Sequence, residues 1–139
     1  MPDDAENTVH YINTDLLLAA PIDLGLLAAA LIGQSETDGC VSCLHIGRDE
    51  SGYQAHFEAF GPDGSYFTPQ ESIQALLNAI EHLPQSMAPA WQACSKRTLD
   101  IGYESGDVPR SVSHPISIDM LARMQILGID LCITVYASS

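Results

Sequence analysis

The sequence predicts an α+β fold: a mixed β-sheet of about five strands with helices packed on one face. Three observations predict it. Thr98–Glu104 and Ile129–Tyr136 alternate apolar and polar residues, as half-buried strands do. Segments after Thr68 and Ser117 open with capping residues and continue with helical spacing. The elements then fall in the order β-α-β-β-α-α-β-α-β, with a hairpin in the middle and a β-α-β unit at the end.

Each element has its own reason. Val9 to Leu18 reads as a first strand, carried by Tyr11, Ile12 and the leucine run. Pro21-Ile22-Asp23 breaks it, with Asp23 a candidate N-cap and Gly33 a candidate stop for a helix that presents Leu24, Leu27 and Leu31 on one face. Gln34 to Gly39 is a polar loop. Cys40–Gly47 and Tyr53–Phe60 form a hairpin around Arg48-Asp49-Glu50-Ser51-Gly52, and Gly61-Pro62-Asp63-Gly64 is a further turn.

Thr68-Pro69-Gln70-Glu71 has the form of a capping box with proline at the first helical position. Ile73, Leu76, Leu77, Ile80 and Leu83 continue it until Pro84 ends the helix. A shorter helix over Ser86–Ser95 tolerates Pro89 only in its first turn and turns Met87, Trp91 and Cys94 inward. In the strand Thr98–Glu104, Leu99, Ile101 and Tyr103 share one face, and Asp100, Gly102 and Glu104 the other. After the loop Ser105–Pro115, Ser117 caps a helix that faces Leu121, Met124 and Leu127 inward and stops at Gly128. The closing strand sets Ile129, Leu131, Ile133 and Val135 against Asp130, Cys132, Thr134 and Tyr136. The last β-α-β should cross over right-handed, with its two strands parallel.

Length and composition describe one domain over 1–139, with frayed residues 1–7. A chain of this size buries roughly two-thirds of its unfolded surface without needing a metal or disulfide staple. The acidic start is unlike a secretory signal, so the reducing cytoplasm is the expected compartment; the four cysteines could pair, but three of them sit in apolar segments where a free cysteine behaves as a small core hydrophobe. The apolar stretch Leu16–Gly33 is interrupted by Pro21, Asp23 and Gly25, which argues against a membrane span.

Charge limits the partners. Eighteen acidic residues stand against five basic ones, for a formal net charge of −13. Such a body repels nucleic acid and anionic membrane surfaces and attracts a basic protein.

The segments Arg97-Thr98-Leu99-Asp100-Ile101-Gly102-Tyr103-Glu104-Ser105-Gly106 and Ser117-Ile118-Asp119-Met120-Leu121-Ala122-Arg123-Met124-Gln125-Ile126-Leu127-Gly128-Ile129-Asp130-Leu131 resemble a family of small bacterial domains of unknown function. The shared pattern is a short acidic strand, a helix of the form S-x-x-x-L-x-x-x-x-x-L-G and a closing strand ending near a tyrosine. The resemblance implies a packing scheme and no reaction, and it lends no catalytic residue to any position.

Several constellations could carry chemistry. Cys40-Val41-Ser42-Cys43-Leu44-His45 has the spacing of a zinc half-site, but residues three apart on a strand point to opposite faces and no second half-site completes it. Asp100 and Glu104 share a face about 13 Å apart, too far for an acid–base pair. Asp100 and Asp130 could approach across neighbouring strands, and His45 could approach His56 across the hairpin. His114, with Asp107 and the serines of the 105–115 loop, suggests a Ser–His–Asp set without a nucleophile elbow. Phosphate-binding glycine motifs are absent. No catalytic residue, metal or cofactor is therefore assigned.

What remains is an acidic sheet face with Glu58, Asp100, Glu104, Asp130 and Tyr136 as its partner-binding residues. The expected function is a non-enzymatic protein-binding domain, most concretely an immunity protein that neutralises a basic toxin. The alternatives are a small enzyme or ligand-binding domain using the 105–115 loop, or a homo-oligomeric structural protein. A homodimer would have to use the helical side or a sheet edge, because acidic faces repel across a two-fold axis.

Overall fold

Leucines on alternate positions of one strand build the centre of the molecule. The computed structural model describes residues 7–33 and 40–137. Its elements are β1 (His10–Ala20), α1 (Gly25–Ile32), β2 (Cys40–Asp49), β3 (Gly52–Phe60), α2 (Pro69–Glu81), α3 (Ala88–Ala93), β4 (Lys96–Glu104), α4 (Ile118–Leu127) and β5 (Asp130–Tyr136). The predicted loop Gln34–Gly39 lies outside the described residues, as do most of the residues expected to fray.

The five strands form one mixed sheet in the order β2-β3-β1-β4-β5. Only β4 and β5 are parallel, joined through α4; the other neighbours are antiparallel. The fold class is the predicted α+β. On β1, Thr14, Leu16, Leu18 and Ala20 are buried, and they meet Ala55 and Phe57 of β3 and Leu99 and Ile101 of β4. Ile73, Leu76, Leu77 and Ile80 of α2 close over this face, and α1 supplies Leu27 and Leu31. The helices cover one face, with α1 against β2, α2 across β1 and β3, and α4 beside α2. No described helix is long and apolar enough to cross a membrane.

Several local expectations are corrected. Asp23 does not cap α1: its carboxylate accepts from the Gly25 N–H at 2.7 Å in a tight turn, and Leu24 occupies the cap position. The hairpin turn is the two-residue Glu50-Ser51, shorter than expected, because Asp49 accepts from the Ser51 N–H and hydroxyl (2.8 and 2.6 Å) and pairs with Gly52. Gly52 has φ 131°, a conformation side chains disfavour. At α2, Thr68 Oγ1 accepts from the Glu71 N–H at 3.4 Å as predicted, but the Glu71 carboxylate takes the Thr68 hydroxyl at 2.9 Å. The helix predicted over Ser86–Ser95 is a 3₁₀ turn at Gln85–Met87 followed by the six-residue α3. In α4, Met124 is buried and Leu127 packs against the core as expected, but Leu121 is exposed and Met120 is buried in its place.

Arg97 ties the far end of the helical layer together. Its guanidinium donates to the carbonyls of Trp91 (2.9 Å), Cys94 (3.0 Å) and Gly128 (3.1 Å), and it lies over the Trp91 ring. Trp91 Nε1 donates to the Leu127 carbonyl at 3.1 Å. The ends of α3 and α4, where carbonyls lack helical partners, are thus joined by one cation.

Candidate functional site

The sheet face without helices is built by the alternation that builds the core. With Leu16 and Leu18 inward, Asn13, Asp15 and Leu17 point outward. The register then decides which outward residues meet. Asp15 on β1 lies opposite Glu58 on β3 and opposite Asp100 on β4. Ser42 on β2 extends the row beyond Glu58, and Cys132 on β5 extends it beyond Asp100. The row therefore reads Ser42, Glu58, Asp15, Asp100, Cys132, with three carboxylates on the three central strands. Residues directly opposite in a sheet are about 5 Å apart, so the carboxylates share one small surface.

Their electrostatics follow. Partial burial pushes the Asp15 carboxyl up to about 6, with Glu58 and Asp100 adding repulsion. Asn13 Nδ2 donates to Asp15 at 3.3 Å, and the Thr134 hydroxyl donates to Asp100 at 2.8 Å. Among the described residues the ion pairs are Arg123–Glu81 (2.7 Å) and His10–Glu104 (3.7 Å, when the histidine is charged), and neither touches the row. Three of the five basic side chains are engaged elsewhere: Arg48 with Tyr53, Arg97 with carbonyls, Arg123 with Glu81 and Asn78.

The row has distinct flanks. Toward one end, Gly102 lies opposite Asn13 and Thr134, and a β-carbon at Gly102 would come within 3.0 Å of the Asn13 amide oxygen and 3.5 Å of the Tyr136 ring. Glycine there lets Asn13 and Tyr136 lie close to the backbone. Toward the other end, His45 and His56 face each other with ring centroids 5.4 Å apart, as the hairpin suggested. Burial, His45 and Lys96 all lower the His56 pKa.

The five predicted site residues share this face but do not form one cluster. Glu58 and Asp100 are in the row, joined by Asp15, which the sequence reading missed. Glu104 sits at the strand end opposite His10 and next to Tyr136. Asp130 pairs with Thr98, two residues out of step with Asp100, so those two carboxylates are not neighbours. The signal for Asp15 was available: an acid at an outward position of a strand whose inward positions are leucines.

The remaining constellations do not assemble. Cys40 lies opposite Phe60 and Cys43 opposite Phe57, on opposite faces of β2, and no group of three potential ligands suits a metal among the described residues. All four cysteines are free, but Cys40 and Cys132 are exposed, which corrects the expectation of core cysteines; only Cys94 is fully buried. His114 Nδ1 lies 3.0 Å from the Tyr103 hydroxyl and stacks on that ring, whereas Asp107 accepts from Asn7 Nδ2 at 2.6 Å, so the two are held by different partners. A shallow apolar groove between the ends of α2, α3 and α4 is lined by Leu83, Met87, Trp91 and Leu127, with no converging polar groups.

Comparison of the chain with protein-family models, with curated proteins and with solved structures finds no match.

Proposed function

We propose that this protein is a non-enzymatic binding domain whose open sheet face receives a basic protein, most concretely an immunity protein that occludes a cationic toxin. The observation that carries the reading is the row Glu58–Asp15–Asp100, three adjacent carboxylates with no cation of this chain paired to them among the described residues. A lysine or arginine from a partner would lie between two carboxylates at once and relieve their repulsion. Tyr136 and the His45–His56 pair supply flat, partly apolar rims to such a contact. The net charge of −13 would raise the encounter rate with a basic body.

The test is titration with a peptide that alternates lysine or arginine with apolar residues, followed by amide chemical shifts. The expected shifts centre on Asp15, Glu58 and Asp100, and the triple change Asp15→Asn, Glu58→Gln, Asp100→Asn abolishes them. Equal loss of binding on neutralising Asp63, Glu50 and Asp119 instead, which lie off this row, would reduce the effect to net charge and overturn the reading.

A further inference from the structure

The sheet has two edges, and they differ in a way that identifies an occupant for one. The β2 edge carries a bulge at Leu44 and ends in Arg48 and Asp49. Bulges and charges are the usual guards against pairing with another chain. The β5 edge has no bulge and a single charge at its start. Its register against β4 runs without a break from Asp130 to Tyr136, and Asp130 is its only charged residue.

Its apolar side is also left uncovered. Leu131, Ile133 and Val135 continue the buried row of Leu99 and Ile101, yet they are 40, 61 and 61% exposed. On α4, Arg123 marks the flank that meets α2, and Leu121 lies on the opposite flank, exposed. Apolar side chains are thus exposed along the inner side of β5, and Leu121 is exposed on α4.

The backbone direction is settled by one bond. The Tyr136 carbonyl accepts from the Ser105 N–H at 2.9 Å, on the β4 side. Along a strand these groups alternate sides residue by residue. Those of Leu131, Ile133 and Val135 therefore point away from the sheet, at the free edge.

We infer that the β5 edge pairs antiparallel with the β5 edge of a second copy of this chain, about a two-fold axis at Ile133. This register pairs the full strand. Ile133 meets Ile133 of the second copy and Leu131 meets Val135, all in hydrogen-bonded positions that use the outward N–H and C=O groups. Cys132 then faces Thr134, and Asp130 faces the Tyr136 side chain instead of its own copy. The charge pattern selects this occupant. The strand is nearly neutral and gives a cationic partner little to bind, whereas the two-fold brings no acid of β5 opposite another. The open faces of both copies stay free, so this inference stands independently of the proposed function.

The test is light scattering on the eluted protein across a dilution series. The wild type is expected at twice the chain mass, and Ile133→Lys, which sets two ammonium groups side by side at the axis, at the single mass with an unchanged far-ultraviolet spectrum. Because Ile133 is exposed in the single chain, this change leaves the core intact. The register is read separately in a Cys40→Ser, Cys43→Ser background. Thr134→Cys should give an oxidised, covalent dimer with Cys132 of the second copy, while the background protein, retaining Cys132, should not. A wild type of single-chain mass at every concentration, or a dimer untouched by Ile133→Lys, would overturn the inference; cross-linking through Cys132 alone would overturn the register.

Discussion

Asp15 stands directly opposite Asp100 in the antiparallel pairing of β1 with β4, so two carboxylates of the central strands share one patch of the open face. Glu58 flanks Asp15 from the other side. Sheets disfavour like charges in opposed positions, and three in a row is a standing electrostatic cost within the isolated chain.

That cost has a pH signature. The Asp15 carboxyl is raised to about 6 from an ordinary 3.8, so the folded chain holds a proton that the unfolded chain has released. The stabilising contribution is full below about pH 4 and is lost as pH rises through about 6. Asp15→Asn should therefore raise stability at pH 7 by about 1 kcal/mol, after allowing for solvent screening. It should also flatten the dependence between pH 4 and 6. Urea unfolding at a series of pH values measures both; a variant less stable than wild type at pH 7 would contradict the arrangement.

Binding of a cation should reverse the sign. A lysine or arginine placed on the row favours ionised Asp15 and expels its proton, so affinity for a basic peptide should rise from pH 5 to pH 7. Calorimetry in buffers of different ionisation heat would detect the proton released. Asp15→Asn should remove the pH dependence of binding, while Glu104→Gln should leave it in place.

Arg97 is the joint of the helical layer. It donates to carbonyls at the ends of α3 and α4 and stacks over Trp91. Arg97→Ala should cost about 2 kcal/mol, the scale of charge-assisted bonds lost from partly buried carbonyls. Arg97→Lys should not restore it, because one ammonium cannot reproduce the planar fork. Gly128→Ala should cost about 1–2 kcal/mol: φ is 71° there, and a β-carbon would fall 2.9 Å from the Arg97 Nη2. Thermal or chemical denaturation reads all three.

The Arg123–Glu81 pair is the surface counterpart. Arg123 donates to both Glu81 oxygens (2.9 and 2.7 Å) and to Asn78 at 2.8 Å, bridging α4 to α2. The bond to Arg123 holds Glu81 below its usual carboxylate range. Its stabilisation is therefore present above that range and lost as pH falls through the lowered value. Glu81→Gln should cost about 0.5–1 kcal/mol at pH 7 and nothing in strong acid, measured by denaturant midpoints.

Much of the architecture was legible in single elements. Strict alternation in Thr98–Glu104 and the caps at Thr68 and Ser117 are local signals, and each element appears where they place it. Boundaries failed where a local bond competed, as Asp23 does by accepting from Gly25 instead of capping α1. On α4 the spacing places Met124 and Leu127 inward correctly but not Leu121, because Leu121 is as apolar as Met120. Which of them is buried depends on α2 lying on one flank of the helix and solvent on the other.

By itself the sequence determined the acidic balance, the order of elements and which residues of each strand share a side, because these depend only on composition, local propensity and the two-residue period. Strand order and register were decided by the tertiary structure. Inserting β1 between β3 and β4 brings residues 15, 58 and 100 into one row, while the parallel offset of β5 sends Asp130 to Thr98. Register is set by how the buried faces pack, and a row of carboxylates from three separate strands exists only once that packing is complete.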